Sequence, residues 1–389
     1  FSFWFDCFIE MTRSPRAPSL PLVRFDSSVW TLPKLPTVAA GSVPAGDFSV
    51  GRWRGAVASA ATASMQLPQD ARIHRLAGET MGTRWSLRLA NADFLPLEDV
   101  RGLVQSVLDA VIAQMSNWDA RSVISEFNRL PAGDWLELPP AFSRVLSAAL
   151  EWARRSGGAL DPTMGALVSL WGFGPRADPL APHSGIAPSA EVIASTLAAA
   201  GFDRLDRLDL SAGSVRIRQS GGLQLDLCGI AKGFAVDEVV LRLQQAGWAG
   251  GLFEIGGELR SWGTRPDGSD WRVQLGGSSE PVDSPLVVAV QGGAFATSGD
   301  YWHHFAADGR RYSHTLDPRT GWPIEHALAS VTVHHRECMH ADALATVLTV
   351  LGPNEGMAFA QDNDIAAVMW EHGSAVPLVS AAWKARFAS

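Results

Sequence analysis

Several protein classes are excluded by what this chain has little of. Its 389 residues include three cysteines, Cys7, Cys228 and Cys338, scattered so that they match neither a zinc-ligand spacing nor a disulfide framework. No apolar run reaches the roughly 18 residues that a transmembrane helix requires. Positive charge is in deficit: 32 Lys and Arg stand against 40 Asp and Glu, a formal net charge of −8. That balance leaves no electrostatic footprint for nucleic acid. There is no G-x-S-x-G elbow, no P-loop, no G-x-G-x-x-G fingerprint and no internal repeat, which argues against serine-elbow hydrolases, P-loop NTPases and Rossmann dinucleotide folds. A composition 47% hydrophobic and 19% charged is that of a globular protein.

Residues 1–70 stand apart from the rest. Phe1 to Phe5 is apolar, but Asp6 and Glu10 interrupt it and no basic segment precedes it, so it makes a poor signal peptide. Cys7 lacks the small neighbours of a lipidated cysteine. Residues 14–55 are rich in Pro, Ser, Gly and Val without a period, and are expected to be an extended or disordered leader. Residues 71–389 are expected to form the folded domain.

Within that domain, strands are expected at 74–76 and 85–89, with a Gly-containing connection at 78–83. Helical spacing runs over 97–117, 122–127, 140–156 and 187–201. Asp161-Pro162 reads either as a helix start, with Asp as N-cap, or as part of a site. Segments 207–210 and 214–218 read as a hairpin. Residues 223–227 alternate as a strand, pass through a Gly turn, and lead into a helix over 235–246 that Lys232 opens. A lysine there opposes the helix dipole, so it has an anion to meet: Asp226 as a structural pair, or a phosphate. Residues 252–259 read as a strand broken by Gly256 and Gly257, as in a bulge or the close approach of a ligand. His314 is placed on the strand feeding the turn Asp317-Pro318-Arg319-Thr320-Gly321, as a structural or a reactive histidine.

The helix after a strand at 328–334 carries Asp342 and Thr346. Four residues apart, a carboxylate and a hydroxyl share one helix face, which suits a hard cation such as Mg²⁺ as well as it suits a buried helix with local pairing.

Nine short motifs occur in order: 81–83, 115–118, 158–163, 171–174, 226–233, 255–257, 296–300, 314–318 and 342–346. Each alone is weak. As an ordered set, spanning about residues 73–372, they resemble the FAD:protein FMN transferase (ApbE) family. The resemblance implies an α+β fold, a single unit of antiparallel sheets flanked by helices. It also implies a Mg²⁺-dependent enzyme that takes FAD as substrate, attaches FMN to a Ser or Thr hydroxyl of an acceptor flavoprotein and releases AMP. By the same resemblance, Asp342, Thr346 and the Gly229 carbonyl would ligate the metal. Met81, Trp118, Ala159, Leu160, Asp161, Asp226, Lys232, Leu316 and Ala345 would contact FAD, while His314 and Asp342 would serve the reaction. Cys228 stands where a small residue is usual, and Trp118 where the family often has Tyr. The family's usual place is the periplasmic side of the bacterial inner membrane; without a clear signal in this chain, the cytoplasm is the alternative. An FAD pyrophosphatase using water, and a non-catalytic flavin carrier, are the other readings of the same residues.

Overall fold

The structure, a computed structural model, describes residues 72–175, 187–209, 215–275, 286–299, 304–307 and 310–387. The expected leader at 1–70 and Asp300 of the 296–300 motif lie outside the described residues. In chain order the strands are β1 (Ile73–Thr80), β2 (Thr83–Ala90), β3 (Trp135–Leu138), β4 (Asp206–Asp209), β5 (Val215–Arg218), β6 (Gly251–Ile255), β7 (Glu258–Trp262), β8 (Trp271–Gln274), β9 (Val287–Val290), β10 (Gly293–Gly299), β11 (His304–Ala307), β12 (Arg310–Ser313), β13 (Leu316–Asp317), β14 (Trp322–Pro323), β15 (Leu328–His335), β16 (Ala366–Glu371) and β17 (Leu378–Val379). The helices are α1 (Glu98–Met115), α2 (Val123–Arg129), α3 (Pro140–Arg155), α4 (Gly165–Leu170), α5 (Ala190–Ala199), α6 (Ala231–Gln245), α7 (Cys338–Asp362) and α8 (Ala381–Phe387).

The fold is α+β. Its centre is an eight-stranded sheet in the order β1-β2-β6-β7-β10-β15-β16-β17, antiparallel throughout. Side chains alternate across a strand. Trp85, Leu87 and Leu89 of β2 therefore point into one core with Phe253, Ile255 and the apolar sides of α1, α6 and α7. The other face, with Leu252, Phe295, Val368 and Trp370, packs under the β8–β9 ribbon and Trp383 of α8.

Helix α7 lies in the first core. Ala341, Ala343, Leu344, Ala345, Val347 and Leu348 are all buried, as in a helix covered on every side. Its N-terminus has no side-chain cap of its own. Instead Asp237, on α6, accepts the backbone N–H groups of Cys338 and Met339, each at 2.9 Å, and pairs with Arg260 at 2.6 Å. Those donors would otherwise be orphaned, and a carboxylate suits the positive end of a helix. At Gly233 a Cβ would lie 2.8 Å from the Cβ of Asp342, so glycine is what lets α6 and α7 approach. A break at Gly352-Pro353, with Gly352 at φ +77°, kinks α7 beyond the site.

Several expected boundaries differ. Residues 78–80 continue β1, and only Met81-Gly82 turns. No helix starts at Pro162: α4 begins at Gly165, because the Asp161 carboxylate is occupied by the N–H and hydroxyl of Thr163 and the N–H of Phe202. Residues 223–227 make one isolated bridge, Met164 with Gln224, rather than a strand; Asn128 takes up the backbone of Leu225 instead. Helix α6 starts four residues earlier than expected, at Ala231. Gly256 and Gly257, at φ +59° and +112°, are the two-residue turn between β6 and β7, not a break in one strand. His314 falls between β12 and β13, not on a strand.

Candidate functional site

The turns at one end of the sheet and the start of α6 open on a cavity of about 1160 Å³. That exceeds the usual upper range of about 1,000 Å³ for small-molecule pockets and has room for a dinucleotide. Met81, Trp118, Ala159, Leu160, Asp161, Asp226, Gly229, Lys232, His314, Leu316, Asp342 and Thr346 all line it. Residues more than 260 positions apart in the chain thus meet at one surface. Ala345 is the exception: fully buried in the core, it is absent from the lining. Its place on α7, one residue before Thr346, turns it inward.

Met81 has φ +49° at a two-residue hairpin turn, a conformation that favours Gly, Asn or Asp. A methionine held there, buried and on the cavity wall, points to use by a ligand. Asp226 accepts the Cys228 N–H at 2.7 Å and so shapes the loop that carries Gly229. The backbone at Gly229 passes close to α7: a Cβ there would sit 2.9 Å from Thr346 Oγ1. Asp342 is buried, and its Oδ2 accepts the Gly233 N–H at 2.9 Å. Burial raises its pKa, against the pull of Lys232 and of that N–H.

Lys232 does not pair with Asp226. Its Nζ lies 2.6 Å from Glu258 Oε1. Burial disfavours the ammonium, but the charges of Glu258 and Asp342 outweigh it, and its pKa rises above the ordinary lysine value. Asp161 moves up as well, burial outweighing its hydrogen bonds from Thr163 and Phe202. His314 lies edge-on to Phe173, ring centroids 6.3 Å apart, which orients the imidazole on the wall.

The apolar wall of Met81, Trp118, Leu160 and Leu316 suits a flat ring system. The same lining holds Lys232, Asp342, Thr346 and Gly229, a combination for phosphates. Among the described residues no cluster of three or more His, Cys, Asp or Glu is arranged for a metal. A cation here would instead rest on one carboxylate, one hydroxyl and backbone oxygen. Sequence reading gave Glu258 no role, although it follows directly on the Gly256-Gly257 pair; the signal was a lone acidic residue at the start of a strand. It also passed over Thr297 and Ser330, which line the cavity from β10 and β15.

The ApbE family profile matches residues 81–369. The chain belongs to the ApbE family. An FAD:protein FMN transferase of Vibrio cholerae is 36% identical over 296 residues, 76% of this chain and 86% of that protein. One from Escherichia coli K12 is 32% identical over 313 residues, 78% of this chain and 87% of that protein. Among solved structures, the apo form of the Pseudomonas stutzeri flavinyl transferase ApbE superposes with a TM-score of 0.73 at 36% identity, covering 82% of this chain and 97% of that one. The Vibrio cholerae flavin transferase ApbE gives 0.71 at 33% identity, covering 80% and 99%. The ApbE motifs are the segments that converge on the cavity.

Proposed function

We propose that this chain is an FAD:protein FMN transferase that moves FMN from FAD to a Ser or Thr hydroxyl of an acceptor flavoprotein through a phosphoester bond, releasing AMP, with Mg²⁺ as its metal. The observation that carries the reading is one cavity lined both by an aromatic and apolar set and by a cationic and oxygen-ligand set, in a chain of this family.

The donor set fits the metal. Asp342, Thr346 and the Gly229 carbonyl would offer only oxygens, as a hard cation prefers, and a side chain at Gly229 would crowd the Thr346 hydroxyl. When bound, the ion supplies positive charge against which a phosphate's developing negative charge is stabilised. The chain's own residues do the rest. Lys232 holds the pyrophosphate as a point charge, and Glu258 keeps that ammonium in place. Trp118, Met81 and Leu316 hold the flavin in a fixed orientation and exclude water from that side, and His314, on the cavity wall, would donate to a phosphate oxygen. The acceptor brings the nucleophile, so the chain needs none of its own.

The test is incubation with FAD and Mg²⁺, with and without an acceptor protein of the Vibrio cholerae relative. Expected are flavin covalently on the acceptor and AMP release that depends on it. AMP release without acceptor would make the chain a pyrophosphatase, and FAD binding without AMP release would make it a carrier.

A further inference from the structure

Asn128, on α2, is not among the described residues that line the cavity, but it stands between two segments that do. Its side-chain amide serves Leu225 as a neighbouring strand would. Oδ1 accepts the Leu225 N–H at 2.7 Å, and Nδ2 donates to the Leu225 carbonyl at 3.0 Å. Nδ2 also donates to Asn117 Oδ1 at 3.3 Å. Two donors and one acceptor are thus engaged, which fixes the way the amide points. Asn117 directly precedes Trp118, and its loop is pinned to the start of the same helix, where the Ser122 hydroxyl donates to the Ser116 carbonyl at 2.6 Å. Leu225 directly precedes Asp226, which shapes the Gly229 loop. The same stretch anchors the segment after Asp161: the Gly165 N–H donates to the Gln224 carbonyl at 2.9 Å, and the Asp226 N–H to the Pro162 carbonyl at 2.8 Å. Among the described residues no strand pairing joins the Trp118 loop to the Asp226–Lys232 segment; the Asn128 amide does.

We propose that Asn128 is a positioning residue that sets the spacing between the part of the cavity that takes the flavin and the part that takes the phosphates. This rests on the transferase reading above. FAD is riboflavin joined to ADP, so its two halves bind together at full strength only where the protein holds their seats at the separation the ligand's own bonds fix. Trp118 belongs to one seat and Asp226 through Lys232 to the other. An amide suits the tie because it presents a donor and an acceptor side by side; a carboxylate of the same shape only accepts, and would set an oxygen against the Leu225 carbonyl and Asn117 Oδ1. A displacement of about 1 Å between the seats also moves the phosphorus away from its attacker, which costs about 10²-fold in rate.

The test measures dissociation constants of wild type, Asn128→Ala and Asn128→Asp for FAD, for riboflavin and for ADP, with turnover on the acceptor of the Vibrio cholerae relative. The expected result in both variants is FAD affinity lower by at least about 10-fold, riboflavin and ADP each within about threefold of wild type, and turnover lower by about 10²-fold. Each half-site then persists while their spacing is lost, a pattern that a general loss of stability does not give. A lowered melting temperature with wild-type FAD affinity and turnover in the folded protein overturns the proposal. So does a loss confined to riboflavin and FAD, or to ADP and FAD, which assigns Asn128 to one half-site. If the alanine variant does not fold, the aspartate variant decides alone; failure of that isosteric variant to fold makes Asn128 a residue of the fold and overturns the proposal as well. A wild type that binds FAD but transfers no FMN sinks the transferase reading instead, while the three dissociation constants still judge Asn128.

Discussion

On the face of the central sheet that carries α6 and α7, Asp237, Lys232, Glu258 and Asp342 sit within the protein, each against an opposite charge or a backbone N–H group. On the opposite face His334 is equally enclosed, between Phe295 at 4.9 Å and Phe387 at 5.2 Å between ring centroids, and has no such company. Burial, with Arg386 and His335 nearby, pushes its pKa down to about 4. The same sheet thus buries polar groups in two ways. Where an opposite charge or a helix terminus is supplied, a partner opposes the desolvation of the buried group; where only aromatic rings are supplied, nothing does and the imidazole becomes neutral. The first arrangement places Lys232, Glu258 and Asp342 on the cavity wall, beside the family motifs.

The largest expected effect that would break this comparison is at Asp342. Asp342→Asn keeps an acceptor for the Gly233 N–H but removes the charge, and should lower Mg²⁺-dependent transfer at least about 10²–10³-fold with an unchanged melting curve. Full activity at ordinary Mg²⁺ would dissociate the charged seam from the reaction. Next is Asp237→Ala, which leaves Arg260 and the start of α7 without their partner. A loss of about 3–5 kcal/mol in denaturant unfolding is expected, and a loss under 1 kcal/mol would show that the seam is not held by its ions.

Lys232→Met should weaken FAD binding by about one to two decades, the equivalent of roughly 1.5–3 kcal/mol for a charge-assisted contact. Added salt should bring wild type toward the mutant. The melting temperature should fall too, because Glu258 loses its cation; a fall in melting temperature with an unchanged FAD dissociation constant would reduce Lys232 to a structural ion. The smallest effect belongs to the other face. The folded pKa of His334, about 4, lies below the ordinary 6.5, so the unfolded chain takes up the proton first. Its contribution is therefore fully present above about pH 6.5 and is lost as pH falls from 6.5 toward 4. At pH 5 the loss should be about 1–2 kcal/mol, and His334→Leu should flatten it in melting curves taken at pH 7.5 and pH 5.

Much of this was legible in the chain. The alternation in β2 and the spacing of α1 and α3 follow from one buried face each, and a period survives in sequence whatever the face packs against. The pair Asp342 and Thr346 was legible because i and i+4 share a helix face. Asp161 stays open between helix cap and site residue in the sequence because Asp-Pro carries the same local signal in either role; what excludes the cap is its engagement by Thr163 and the distant Phe202 N–H. Residues 223–227 alternate like a strand, yet no neighbouring strand comes alongside. Ala345, expected at the FAD, lies buried on α7 outside the residues that line the cavity.

By itself the sequence determined the family, through nine motifs in order, and most of the elements, through periodicity and turn chemistry. Tertiary structure alone decided which charges meet. Lys232 could have paired with Asp226, six residues away, and instead reaches Glu258 on a strand that follows the helix; Asp237 caps a helix about a hundred residues downstream. Charge pairing depends on distance in space and on the desolvation each ion suffers there, and neither quantity is written in the spacing of residues along a chain.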